Sequence, residues 1–280
     1  MEPLKLHDGR SISFERAGVV VFGVVNTTPD SFSDGGRHDS PAAAIAHGLA
    51  LAEAGAAALD VGGESTRPGS DPVSADEQKR RVLPVIEALV GRGLIVSVDT
   101  TSAEVALAAL RCGAHIINDI SAFRFDPAML PLIADSGVPA IAMHTLGPPK
   151  TMQVSPHYDD VVAEVKAHLV ERVAAAVAVG VVKSQLILDP GIGFGKTLDH
   201  NLSLLKHTAA FVALGQPVLI GTSRKRFLGA ITGREVSDRL MATAASSAIA
   251  VALGAHLVRV HDVAEVMDAV RVGAAIRDAR

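Results

Sequence analysis

The sequence predicts an α/β protein, a (β/α)8 barrel folded as a single domain over residues 1–280. Three observations carry that expectation. Eight short runs rich in β-branched residues recur along the chain, helical segments separate them, and most of those segments end on a glycine. Strands that alternate with helices imply a parallel sheet. A length of 280 residues suits a barrel, which commonly needs about 250 in one domain. An open doubly wound sheet is the structural rival.

The strand-like runs are 19–25, 58–61, 95–98, 115–117, 139–143, 186–188, 218–220 and 257–260. The helical segments are 41–54, 75–90, 103–110, 127–134, 158–179, 201–214, 236–253 and 263–276, each with apolar residues at helical spacing. Gly55, Gly91, Gly113, Gly137, Gly180, Gly215 and Gly254 follow these segments, as left-handed C-terminal caps require. Composition agrees: 49% of residues are hydrophobic but only 3% aromatic, with no Trp, so the core is aliphatic. The uncharged stretch 240–258 is long enough to suggest a membrane span, but its Ala, Ser and Thr content and Gly254 read as a tightly packed helix followed by a strand.

A net charge of −4 argues against nucleic acid or an anionic membrane as partner. The single Cys112 excludes an internal disulfide framework and fits a cytoplasmic setting. The first residues, Met1-Glu2-Pro3-Leu4-Lys5, lack the apolar core of a signal peptide.

Each strand-like run stops at a polar or glycine-rich group. In order these begin with Asn26, Gly62, Asp99, Asn118, His144, Asp189, Ser223 and the string Arg259-Val260-His261-Asp262. In a barrel all eight face one end, where the βα loops build the site. Helix capping explains some of them, Asp119 and Asp262 among them, together with Thr101 or Ser102 before the third helix. Eight together exceed what capping needs. Asp99, Asn118 and Asp189 are short acceptors and donors that suit a flat heterocycle, acid–base work or a metal. Lys225 and Arg259 follow the seventh and eighth runs, the usual phosphate corner of such barrels, and His261 adds a donor. Two loops rich in small residues, around 28–36 with an isolated Phe32 and around 65–69, suit lids that exclude water. Gly191-Ile192-Gly193-Phe194-Gly195-Lys196 lacks the spacing of a dinucleotide loop. No zinc-ligand spacing and no Gly-x-Ser-x-Gly elbow is present.

Taken in order, several segments resemble the dihydropteroate synthase family. They are Asn26-Thr27-Thr28-Pro29-Asp30-Ser31-Phe32-Ser33-Asp34-Gly35-Gly36, Asp60-Val61-Gly62-Gly63-Glu64-Ser65-Thr66-Arg67-Pro68-Gly69, Ser97-Val98-Asp99-Thr100, Ile117-Asn118-Asp119, Met143-His144, Thr151-Met152-Gln153, Asp189-Pro190-Gly191 through Lys196, Ser223-Arg224-Lys225 and Arg259-Val260-His261-Asp262. The first two are the most specific. The resemblance spans nearly the whole chain. It implies a pterin-binding barrel that joins 6-hydroxymethyl-7,8-dihydropterin pyrophosphate to para-aminobenzoate and releases pyrophosphate. It also implies Mg2+, inhibition by sulfonamides that mimic the aminobenzoate, and a homodimer.

Carried onto this chain, the resemblance implies that Asp99, Asn118, Met143, Asp189 and Lys225 hold the pterin, and that Thr66, Arg259 and His261 bind its pyrophosphate. Lys225, Asp99 and Arg259 are the expected catalytic groups. Asn26 is the expected magnesium contact, joined by Asp34. Phe32, Arg67 and Pro68 are expected around the aminobenzoate. Two positions depart from common family forms: Thr145-Leu146 stands where several members have Met-Gln, and Arg226 where others carry a small Ser. The rival readings are a pterin-dependent corrinoid methyltransferase, which needs no pyrophosphate site, and a non-catalytic pterin-binding relative, which would have lost Asn26, Thr66, Arg67 or Lys225. All four are present.

Overall fold

The computed structural model describes residues 1–14, 18–28 and 41–279. Strands β1 (Leu4–Lys5) and β2 (Ser11–Ile12) form an antiparallel hairpin, with Leu4 opposite Ile12. The remaining elements alternate: β3 (Val20–Asn26), α1 (Pro41–Glu53), β4 (Ala58–Gly62), α2 (Ala75–Val90), β5 (Val96–Asp99), α3 (Ala103–Arg111), β6 (Ile116–Asp119), α4 (Met129–Ser136), β7 (Ala140–Met143) and α5 (Val161–Ala178). They continue with β8 (Leu186–Asp189), α6 (Leu198–Lys206), α7 (Thr208–Val212), β9 (Leu219–Ile220), α8 (Arg226–Thr232), α9 (Leu240–Ala252), β10 (Leu257–Val260) and α10 (Val263–Asp278). Strands β3 to β10 pair in parallel in the order β8-β7-β6-β5-β4-β3-β10-β9. A parallel bridge between Leu188 and Val218, with Leu188 N–H donating to the Pro217 carbonyl at 2.8 Å, joins the two ends and closes the barrel. The open-sheet alternative is thereby excluded.

The strand period of two divides every barrel strand into an inner and an outer face. Outward residues such as Val21, Leu59, Val98, Ile117, Ala142, Leu188 and Val258 join the helices in the main core. Inward residues Val20, Phe22, Ala58, Ile116, Ile141, Ile187, Leu219 and Leu257 form a second cluster inside the barrel. Leu4, Leu6 and Ile12 belong to that inner cluster, so the hairpin plugs the amino-terminal end. Gln185 fixes the plug: it accepts from Lys5 N–H at 3.0 Å and donates to the Lys5 carbonyl at 2.7 Å.

Some expected elements differ. The segment 201–214 divides at His207 into α6 and α7, and α8 was not expected. Six of the seven cap glycines have positive φ, but Gly91 sits at φ −60°, and Gly93, two residues on, takes the left-handed turn at φ 77°. The chain makes one more turn after α2 before reversing. Ser102 caps α3 as expected, accepting from Val105 N–H. Asp262 makes no cap bond and pairs instead with Arg224. Asp119 accepts from the Ser121 N–H and hydroxyl, a turn contact rather than a helix cap. Among the described residues no helix is long and apolar enough to cross a membrane.

Leu4 is fully buried beneath the barrel. Leu4→Ala is expected to cost about 3 kcal/mol of stability through lost burial and the cavity left behind. Urea unfolding checks this, and the distant strand-end rim is expected to keep its ligand affinity.

Candidate active site

The carboxyl ends of the strands surround a cavity of about 440 Å3, counting its open mouth. The inner-face periodicity accounts for its lining. Two residues beyond Ile116, Ile141, Ile187, Leu219 and Leu257 stand Asn118, Met143, Asp189, Gly221 and Arg259, and all five line the cavity. Asp99 reaches it from β5 in the same way, beside Asn118 in the sheet register. Thr66, Lys225 and His261 complete the expected set on the loops above.

Arg259 organises the polar groups. Its Nε donates to Asp60 Oδ2 and its Nη2 donates to Asp99 Oδ2 at 2.7 Å. Asn118 Nδ2 donates to the same Asp60 oxygen at 2.9 Å. One fully buried carboxylate therefore orients both a cation and an amide of the cavity wall. Burial, partly offset by Arg259, raises the Asp99 carboxyl above its ordinary range. Burial also raises Asp189, whose Oδ1 accepts from Gly191 N–H at 2.7 Å. Burial lowers the Lys225 ammonium, with Asp189 opposing. The Lys225 Nζ stands 4.0 Å from the centre of the Phe194 ring, a cation–π contact that partly replaces lost hydration. These groups bring two carboxylates, an amide, an aromatic face and a cation to one cavity.

Thr66, Ser223 and His261 bring hydroxyl and imidazole groups to the same cavity as Arg259. Ser223 Oγ accepts from His261 N–H at 3.1 Å and lies 2.9 Å from His261 Nδ1. Burial and then the neighbouring Arg259 charge push His261 down to about 3, so it is a neutral imidazole. Arg224, at φ 58°, is tied to Asp262, which leaves Lys225 to face the cavity.

The remaining expected residues lie on the rim. Asn26 ends β3 next to Gly62. Arg67 and Pro68 are exposed on the loop after β4 and do not line the cavity, though the Arg67 charge acts on His261. That loop is braced at its base. Glu64 accepts from Val73 N–H at 2.8 Å and from Gln78 Nε2 at 3.2 Å. Gly69 N–H donates to the Pro149 carbonyl at 3.0 Å, which ties it to the loop after β7. Phe32 and Asp34 fall outside the described residues. Sequence reasoning gave no role to Asp60, Ile120, Ile192, Phe194 or Ser223. A lone acid within the buried run Ala58-Leu59-Asp60-Val61-Gly62 was the available signal for the first of these.

Three comparisons bear on the site. A family model described as pterin binding enzyme matches residues 22–261. The chain is 49% identical over 263 residues to a dihydropteroate synthase of Mycobacterium leprae, covering 91% of this chain and 93% of that one. It is similar to the Xanthomonas albilineans dihydropteroate synthase solved with 4-aminobenzoic acid, at 48% identity and a TM-score of 0.92 over 99% of both chains. The Yersinia pestis dihydropteroate synthase solved with a sulfonamide drug matches at 40% identity and a TM-score of 0.93 over both full chains.

A Cβ on Gly191, which sits at φ 69°, would lie 1.9 Å from the His144 carbonyl oxygen. Gly137 has nearly the same φ, 66°, and open space around it. Gly191→Ala is therefore expected to cost more than about 3 kcal/mol, and Gly137→Ala only about 1 kcal/mol, in paired thermal unfolding.

Proposed function

The chain belongs to the dihydropteroate synthase family of pterin-binding enzymes, and from that premise we propose how its cavity divides the work. It is a transferase that condenses 6-hydroxymethyl-7,8-dihydropterin pyrophosphate with para-aminobenzoate, giving 7,8-dihydropteroate and pyrophosphate in folate synthesis. The observation that carries the division is the Arg259 guanidinium, which bonds Asp99 and shares one cavity with Asn118, Asp189, Thr66 and His261.

In this reading the pterin edge meets Asp99, Asn118 and Asp189, with Met143 against the ring and Lys225 at its far side. Ring N–H groups take over the Asp99 oxygen to which Arg259 donates. Released from Asp99, Arg259 turns its donors to the pyrophosphate beside Thr66 and His261. The pterin C–O bond then breaks with its electron pair passing to pyrophosphate. The aminobenzoate nitrogen forms the new C–N bond and gives up a proton. Asp99 and Asp189 stabilise positive charge growing on the pterin methylene, while Arg259 and Lys225 stabilise the leaving group. Asn26 supplies a hard amide oxygen that suits Mg2+, an ion commonly held by few protein ligands plus substrate phosphates. When bound, Mg2+ neutralises phosphate charge. Asp34 remains its proposed second ligand. Phe32, Arg67 and Pro68 are proposed for the aminobenzoate, and sulfonamides for the same zone.

We further propose a homodimer and a cytoplasmic setting. Met241 and Ile249 on α9 and Val272 and Ile276 on α10 are exposed apolar side chains beside a tight helix pair. A Cβ on Gly273 would lie 2.4 Å from the Ala248 carbonyl oxygen, so the two helices admit nothing larger there. The free Cys112 supports the second proposal.

The decisive assay mixes purified protein, both substrates and Mg2+. Dihydropteroate is expected, and a protein that binds pterin but forms none would sink the enzymatic reading. Lys225→Ala is expected to stay folded and lose at least about 100-fold in kcat/KM. Near-normal kinetics would remove Lys225 from the site.

A pH dependence follows from the raised carboxyls. Ring N–H donors need ionised acceptors, and burial makes Asp99 and Asp189 protonate at higher pH than an exposed carboxylate. Affinity for 6-hydroxymethyl-7,8-dihydropterin, which carries no phosphate to titrate, is expected to fall between about pH 8 and about pH 5. Calorimetry showing level affinity down to about pH 5 would contradict this.

A further inference from the structure

The string Gly191 to Lys196 brings Ile192 and Phe194 to the cavity, yet its last side chain does not line it. Lys196 is 2% exposed. Its Nζ donates to the Phe194 carbonyl at 2.8 Å and lies 3.0 Å from His144 Nδ1. A buried ammonium is costly unless its donors are satisfied. Burial brings this one down to about 7, with Asp189 opposing the fall and Lys225 adding to it. Burial, the Lys196 charge, His168 and Arg124 all keep His144 neutral, so its Nδ1 can accept from the ammonium.

The loop has little stiffness of its own. Gly191, Gly193 and Gly195 sit at φ 69°, 83° and 65°. Alternate glycines leave many competing conformations open. Three successive carbonyls are nonetheless each held from behind by a side chain. Lys196 Nζ holds that of Phe194, Tyr158 Oη donates to that of Gly195 at 2.9 Å, and Gln153 Nε2 donates to that of Lys196 at 3.3 Å. Gln153 Oε1 also accepts from Lys196 N–H at 2.9 Å. His144 closes the clamp, since its N–H donates to the Asp189 carbonyl at 2.9 Å.

We propose that Lys196 is a positioning residue for the pterin pocket: its ammonium clamps the Phe194 carbonyl to His144 and so holds the Phe194 ring where Lys225 and the pterin meet it. The role rests on assigning the cavity to dihydropterin pyrophosphate. It differs from that of Lys225, which lies at the cavity itself.

Calorimetry with dihydropterin pyrophosphate tests it. Lys196→Met keeps the length of the side chain and removes the donor, and it is expected to weaken binding by about tenfold, the worth of one charge-assisted hydrogen bond. Lys196→Gln, which keeps a donor for the Phe194 carbonyl, is expected to stay within about threefold of the parent. In a Phe194→Ala background the Lys196→Met loss is expected to shrink below about threefold, because the side chain it positions is gone. Unchanged binding in Lys196→Met, or the same loss in both backgrounds, overturns the proposal. Should Lys196→Met not fold, Tyr158→Phe carries the cycle. It is expected to weaken binding about threefold only when Phe194 is present, and unchanged binding there also overturns the clamp. A parent chain that fails to bind at all overturns the pocket assignment, whereas a parent that binds alongside an unaffected Lys196→Met removes Lys196 alone.

Discussion

The alternation of side chains in a closed parallel barrel is the constraint on which the site depends. A strand in this sheet has one inward residue in two, and closure gives all eight strands a common axis. Ile116, Ile187 and Leu257 fill that axis low in the barrel, and Asn118, Asp189 and Arg259 meet around it one inward step higher. A slip of one residue in β5, β6 or β10 would send Asp99, Asn118 or Arg259 into the helix layer and Val98, Ile117 or Val258 into the cavity. The apolar floor and the polar pocket are consequently one pattern read at two heights. The hairpin beneath serves it by sealing the end of the axis that carries no chemistry.

Charge balance is the second consequence of that geometry. Asp60, Asp99 and Asp189 converge with Arg259, Lys225 and Lys196 in and just behind the cavity, three acids against three bases. Each is expensive to bury alone, and the direct bonds from Arg259 to two carboxylates are what make the arrangement tolerable. A pocket balanced in this way holds an uncharged ring readily. It has little spare positive charge for a pyrophosphate, which must compete for Arg259 or bring a cation with it. Both are features of the proposed reaction.

The parts of this architecture that were legible in the sequence are those with a period. Seven-residue β3 and the runs around Asp99, Asn118 and Asp189 announce themselves as apolar stretches with a polar stop, and the barrel and most of the pocket follow. The hairpin was not legible because strands of two residues carry no periodicity. Helix α8 spans only seven residues after a basic turn, and the break at His207 falls inside one continuous apolar pattern. Gly91 and Gly93 flank a single Arg, so composition alone did not say which one turns left-handed. Asp60 was visible as a residue but not as a role, because what it does depends on Arg259 arriving from 199 positions away.

The loop after β7 packs against the string Gly191 to Lys196. Thr145 is buried and donates to the Gly147 carbonyl at 2.7 Å, which turns the chain sharply behind the pocket. The turn sets Leu146 so close that a Cβ on Gly195 would lie 2.4 Å from Leu146 Cβ. Gly195 therefore has to be glycine for two reasons, its positive φ and its neighbour. With no side chain there, the Gly195 carbonyl is reached by Tyr158 and the Phe194 carbonyl by Lys196. The cavity wall made by Phe194 thus leans on contacts from the loop after β7, and the residues at 145 and 146 act on that wall through backbone packing.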